Sequence, residues 1–168
     1  IVIGGAAGAF PPMVGWAVAT GGIAPESVLM FALIFMWTPP HFWALSLLAH
    51  KEYEKAGVPM LPVTHGAGAT RRQILAYTLV LAPLGLLPVL TGLGGAIYAA
   101  TAGLLGLVFL GQAIRVARST AGDRDAVARD NRAAAKLFAF SILYLFLIFA
   151  ALMLEHAAGL HWTLSEVI

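Results

Sequence analysis

The chain has 168 residues, 60% of them hydrophobic and 11% charged, with a formal net charge of +2 and a mean hydropathy of +0.87. A surface that apolar excludes a water-soluble domain and makes the bilayer the solvent. The lack of cysteine excludes a disulfide framework, thiolate chemistry and a cysteine-based metal site.

Residues 1–19 predict the first membrane helix. They open Ile1-Val2-Ile3 without Met or a basic leader, which reads as a piece of a longer protein rather than as a signal peptide. A glycine-rich turn at 20–25 leads to a second span over 26–49. All ten lysines and arginines then fall within 50–72 and 115–136, and residues 73–114 contain no Asp, Glu, Lys or Arg. That interval suffices for two crossings at roughly 20 residues each, predicted over 74–90 and 96–114 with a turn at 91–95. Two crossings return the chain to the side it left, so both basic segments share one face, and their Lys/Arg excess marks it as cytoplasmic. A fifth span over 137–154 and an acidic tail over 155–168 complete an all-α, polytopic transmembrane helical bundle. Pro11-Pro12, Pro39-Pro40, Pro83 and Pro88 fall inside apolar segments, where each removes a helical N–H and predicts a kink. No internal repeat or low-complexity tract divides the chain, so 1–168 is one unit.

The first basic segment carries His50, Lys51, Glu52, Tyr53, Glu54 and Lys55, then Thr70-Arg71-Arg72-Gln73. Thr70 and Gln73 have capping-box spacing, which predicts a helix beginning near Arg71 with its positive end at the membrane surface. Arg71 and Arg72 there suit a phosphate. Glu52 and Glu54 could supply hard oxygens to Mg²⁺, but on a helix they diverge by about 200°, so sharing one ion requires a non-helical loop. A solvated topogenic loop is the plain alternative.

In the second span, Trp37-Thr38-Pro39-Pro40-His41-Phe42-Trp43 sets a histidine beside a double proline, about 15 Å below the basic surface if the stretch is helical. Its readings are a functional group, or a neutral imidazole bonded to backbone freed by Pro39 or Pro40. Trp37, one turn away, is either a flat pocket wall or ordinary packing. In the second basic segment Arg129, Arg132 and Lys136 have helical spacing, with Asp125 four residues before Arg129. That pattern reads as an amphipathic surface turn or as a contact for anionic lipid or propionate. Cations confined to loops flanking apolar spans favour anionic lipid or an anionic substrate and no nucleic acid.

Several stretches have a familiar pattern: Trp37 through Leu45, Glu52-Tyr53, Ala56-Gly57-Val58-Pro59-Met60-Leu61-Pro62-Val63, Thr70-Arg71-Arg72-Gln73-Ile74 and Lys136-Leu137-Phe138-Ala139-Phe140-Ser141-Ile142. Together with Gly4 through Trp16, they closely resemble the C-terminal half of the heme O synthase (protoheme IX farnesyltransferase) family of UbiA-type intramembrane prenyltransferases. The resemblance implies a nine-helix fold of which these are the last five spans. It implies Mg²⁺-dependent transfer of farnesyl from farnesyl diphosphate to a vinyl group of heme b, with addition of water, giving heme O and diphosphate. Heme b is then a substrate. Glu52, Tyr53 and Lys51 are expected at the reacting centre, Glu52 and Glu54 on the metal, Arg71, Arg72 and Lys55 on diphosphate, and His41, Trp37 and Trp43 against heme. The implied setting is a bacterial inner membrane, with heme A synthase or terminal-oxidase assembly as partners.

Two departures matter. The family's first acidic motif should lie upstream of Ile1, so this chain alone is expected to be inactive. The superfamily's paired aspartates are absent from the second loop, where Glu52 precedes Tyr53. A quinone- or chlorin-directed prenyltransferase should instead show an Asp-rich second loop, and a non-enzymatic bundle, such as a transporter half or assembly factor, should show a similar half upstream.

Overall fold

The computed structural model describes residues 2–123, 126 and 128–159, and the described residues form helices and turns without strands. The helices are α1 (Val2–Thr20), α2 (Pro25–Leu48), α3 (His50–Lys55), α4 (Leu61–Thr64), α5 (Ala67–Leu84), α6 (Leu87–Leu90), α7 (Ala96–Ala117) and α8 (Ala128–Ala157). Four stretches are long and apolar enough to cross a membrane: Pro25–Leu48, Ala67–Leu90, Ala96–Ala117 and Asp130–Ala157. The predicted first span is a helix, α1, but it is not among those four: six of its nineteen residues are glycine or proline. Leu107 and Phe146, 71% and 67% exposed, are typical of the outer surface, which is apolar where it would meet lipid.

Four long helices close a ring, α2 on α5, α5 on α7, α7 on α8 and α8 on α2, while α1 packs on α2. Small residues set the close approaches. Ala9 is fully buried, and a Cβ at Gly5 would sit 3.1 Å from the Thr38 methyl of α2. Between α5 and α7, a Cβ at Gly106 would lie 3.6 Å from that of Ala82, so the two backbones approach closely. Tyr98, Phe109, Tyr144, Leu33, Ile74, Leu81 and Ile148 fill the interior, and the Phe109 and Tyr144 rings meet edge-on at 5.2 Å.

Apolar surroundings require each backbone group freed at a helix end or break to find a partner inside the protein. The third span breaks between α5 and α6, close to Pro88, whose missing N–H cannot close a helical turn. The Gly85 carbonyl at this break accepts a 2.7 Å hydrogen bond from the Tyr98 hydroxyl. At the same end of the bundle, the start of α7 is held by Glu155 from α8. Its carboxylate accepts from the amides of Gly95 at 2.7 Å, Ile97 at 2.7 Å and Tyr98 at 3.1 Å, and its side chain is 2% exposed. Glu155, predicted as tail, is therefore a long-range helix cap. The rest of that tail, from residue 160, lies outside the described residues.

The two basic segments meet at the opposite end of the ring. Arg71 Nη1 on α5 donates to the Ala121 carbonyl at 2.7 Å and pairs with Asp123 at 3.0 Å, both in the α7–α8 connection. Gly122 is left-handed there, φ +83°, and a Cβ on it would meet Leu47 at 2.7 Å, so this position requires glycine. The shared face predicted from charge is thus observed as a shared end.

Replacing Glu155 by Ala should strand three amides at a buried helix start and destabilise the protein by about 2 kcal/mol. Glu155→Gln, which keeps one acceptor oxygen, should cost less. Thermal unfolding of the full-length protein in detergent measures both, and an unchanged midpoint for Glu155→Ala would remove the cap from the account.

Candidate functional site

The chain leaves α2 through Ala49, whose φ of −106° and ψ of 21° end the long helix, and at once forms α3. Gly57, at φ +67°, turns the backbone, and the Val58 amide donates to the Tyr53 carbonyl at 2.9 Å. α3 presents Lys51, Glu52, Glu54 and Lys55 to the outside, while Tyr53 is half-buried. The non-helical loop needed for Glu52 and Glu54 to share an ion is not what forms. Both are on one helical turn, so their carboxylates leave in directions about 200° apart. Among the described residues no group of three or more His, Asp or Glu is placed to hold a metal.

Tyr53 faces a cavity of about 490 Å³ bounded by Gly4, Gly5 and Gly8 of α1, Trp37, Thr38 and Phe42 of α2, and Met60. Glycines on α1 leave the room that side chains would occupy. Its walls are apolar, with the Thr38 and Tyr53 hydroxyls as polar points. The Thr38 hydroxyl is already committed, donating to the Ile34 carbonyl at 2.7 Å. The size falls within the usual range for a small-molecule site.

The predicted capping box does not form. α5 begins at Ala67, after Gly66 at φ +82°, and Thr70 lies a turn inside it, donating to the Gly66 carbonyl at 3.0 Å. Only glycine adopts the Gly66 conformation without strain, so the helix starts where the backbone can turn. Arg71 is accordingly directed at the α7–α8 connection and is 12% exposed. Arg72 is exposed and forms no ion pair among the described residues.

His41 stands in α2 against α8. Its ring stacks on Trp37 at 4.3 Å and 19° and on Phe138 at 4.7 Å and 24°, and the Phe42 ring is nearly perpendicular to it with centroids 5.4 Å apart. Its Nδ1 is 2.7 Å from the Ser141 hydroxyl, and Trp37 Nε1 donates to the Ser141 carbonyl at 2.7 Å. The partner is thus a side chain on α8 and not backbone freed by Pro39 or Pro40. Trp43 does not join this group. It lies about 200° around the helix from His41, is 8% exposed, and packs edge-on against Tyr77 of α5 at 5.1 Å.

In the second basic segment, Arg115 of α7, Arg118 just after it, and Arg132 and Lys136 of α8 line a concavity of about 580 Å³ together with Asp130. Asp130 accepts from the Thr120 amide and hydroxyl, each at 2.8 Å, and so ties the connection to α8. Asp125 and the Arg129 side chain, which the spacing also implicated, lie outside the described residues.

Sequence reasoning missed Phe138 and Ser141 as partners of His41, and Ala121 and Asp123 as partners of Arg71. Ser141 carried a usable signal, being the sole hydroxyl-bearing serine or threonine within 137–154. Asp123 carried none, since only the fold brings it to Arg71.

The chain matches curated proteins named protoheme IX farnesyltransferase. It is 65% identical over 162 residues to that of Hyphomonas neptunium, covering 96% of this chain and 51% of the relative. It is 57% identical over 174 residues to that of Caulobacter vibrioides, covering 95% and 52%, and 58% identical over 157 residues to that of Acidiphilium cryptum, covering 93% and 49%. The chain therefore spans about half the length of these relatives. No solved structure matches it. The model of the UbiA prenyltransferase family matches residues 1–142, and with four apolar membrane-length helices the chain belongs to that family of multi-pass membrane proteins.

Proposed function

We propose that the whole protein is a heme O synthase, joining the farnesyl group of farnesyl diphosphate to a vinyl group of heme b with addition of water. The observation that carries this reading is 65% identity, across nearly the entire chain, to a protein named protoheme IX farnesyltransferase. In the reaction the allylic C–O bond breaks and diphosphate leaves with the electron pair. The vinyl π pair forms the new C–C bond to the farnesyl carbon. Water adds to the resulting cation beside the porphyrin and loses a proton, so the products are heme O, diphosphate and a proton.

This chain's residues divide that work by location. Arg72, Lys55 and Lys51, exposed at the basic end, attract diphosphate and stabilise its charge as it departs. Arg71 holds the two basic segments together beneath them and offers its remaining N–H groups to the same anion. Mg²⁺ commonly takes one or two carboxylates plus substrate phosphate oxygens. The diverging carboxylates of Glu52 and Glu54, both exposed on α3, leave one of the two for the ion, and Glu52, which precedes Tyr53 as the resemblance implies, is the one assigned. When bound, the ion neutralises charge on the leaving diphosphate. Tyr53 lines the apolar cavity, where the prenyl chain is held away from bulk water. His41 and Trp37 are the heme contacts, whereas Trp43 packs against Tyr77 of α5. The basic end faces the cytoplasm of a bacterial inner membrane, and the product passes to heme A synthase or terminal-oxidase assembly.

The direct test supplies heme b, farnesyl diphosphate and Mg²⁺ to the full-length protein in membranes and seeks the hydroxyethylfarnesyl heme by mass spectrometry. Product that EDTA abolishes is expected, whereas absence of product in the untreated sample would overturn the assignment. Glu52→Gln should lower kcat about 100-fold at saturating Mg²⁺, and Glu54→Gln far less. Equal losses would undo the distinction drawn between the two faces of α3. Arg72→Ala should raise the KM for farnesyl diphosphate about tenfold without moving the unfolding midpoint, while Arg71→Ala should change both. Enzyme kinetics beside a melting curve separates these outcomes.

A further inference from the structure

The hydroxyl of Ser141 has one hydrogen and two short contacts. Its oxygen is 2.6 Å from the Phe138 carbonyl and 2.7 Å from His41 Nδ1. Two oxygens at 2.6 Å repel unless a hydrogen lies between them, so the Ser141 hydrogen is donated to the Phe138 carbonyl. The hydroxyl oxygen must then accept, and His41 Nδ1 must carry the proton that it accepts. A neutral His41 is therefore the Nδ1–H tautomer, and its Nε2 holds a lone pair. Among the described residues Nε2 has no hydrogen-bond partner, nor is it one of the buried, unpartnered atoms. Both ring faces are covered, by Trp37 and Phe138. What remains for a ligand is the edge that bears Nε2.

We infer that Ser141 is a positioning residue that presents His41 Nε2, edge-on, as a Lewis base to a metal centre, the iron of the porphyrin substrate. The inference rests on the heme reading above and deepens it. A metal-bound imidazole characteristically donates its other N–H to an acceptor that sets its tautomer and orientation, and Ser141 is that acceptor. The same residue also orients the stacking partner, because Trp37 Nε1 bonds its backbone carbonyl. Removing the hydroxyl leaves that carbonyl in place, so Ser141→Ala perturbs the tautomer while sparing the α2–α8 contact through Trp37.

Titration of the full-length protein in detergent with heme b, followed by the Soret band, tests this. His41→Ala should lose the wild-type band, Ser141→Ala should weaken heme binding about tenfold with a shifted band, and Ser141→Thr should restore both. Metal-free protoporphyrin IX, followed by fluorescence, should bind all four proteins alike. If Ser141→Ala keeps the wild-type affinity and band while His41→Ala loses them, the positioning role is overturned and the heme contact stands. If His41→Ala also keeps the band, the heme contact of His41 falls and the inference with it, although product formation by the wild type would still support the synthase.

Discussion

A polar group that has left water for the bilayer interior must find its partner within the protein, and the architecture follows from how this chain meets that demand. Regular helices satisfy most of their own backbone. At the interruptions the partners come from elsewhere: the Tyr98 hydroxyl serves the Gly85 carbonyl, and the Glu155 carboxylate serves the first amides of α7. The first joins groups 13 residues apart and the second reaches across 57 to 60 residues. The requirement that permits breaks in the helices thus also fastens the ring of helices at the end where the breaks occur.

At the other end the fastening is ionic. Arg71 reaches from α5 to the connection between α7 and α8, so two segments that would repel as separate basic loops are joined through one guanidinium. The cations left at the surface, among them Arg72 and Lys55, are then free to meet an anion. A structural arginine beside accessible ones gives a charged surface that is both fixed and open. Glycines on α1 leave room for an apolar cavity that Tyr53 of α3 also lines. The helix that carries the exposed Lys51 and Lys55 thus also places Tyr53 against the apolar cavity.

The His41 group shows the same economy within the bundle. Ser141 bonds both Trp37 and His41 of α2, and Phe138, on the same face of α8, stacks on the imidazole. One short stretch of α8 therefore sets the position, the orientation and the protonated nitrogen of a side chain on another helix. A histidine at this depth without such fixation would rotate to serve whichever carbonyl lay nearest.

Much of this was determined by the sequence alone. Charge confined to residues 50–72 and 115–136 and none over 73–114 gave the two membrane-length stretches between the basic segments and placed both segments together, because the cost of burying a charge acts residue by residue and needs no knowledge of neighbours. Trp37 through Trp43 was legible as a site candidate for the same local reason, a histidine at membrane depth, and Glu52-Tyr53 through its acidic residue in a basic loop and its resemblance to a family pattern. Only the tertiary structure decided where α5 begins, since Gly66 outcompeted the capping pattern of Thr70 and Gln73 through its left-handed backbone. It also decided that Glu52 and Glu54 diverge, that Trp43 belongs to the core, and which side chains Arg71, His41 and the start of α7 would find. Those are pairings across 50 to 100 residues, and the periodicity of a single helix carries no information about which element will pack against it.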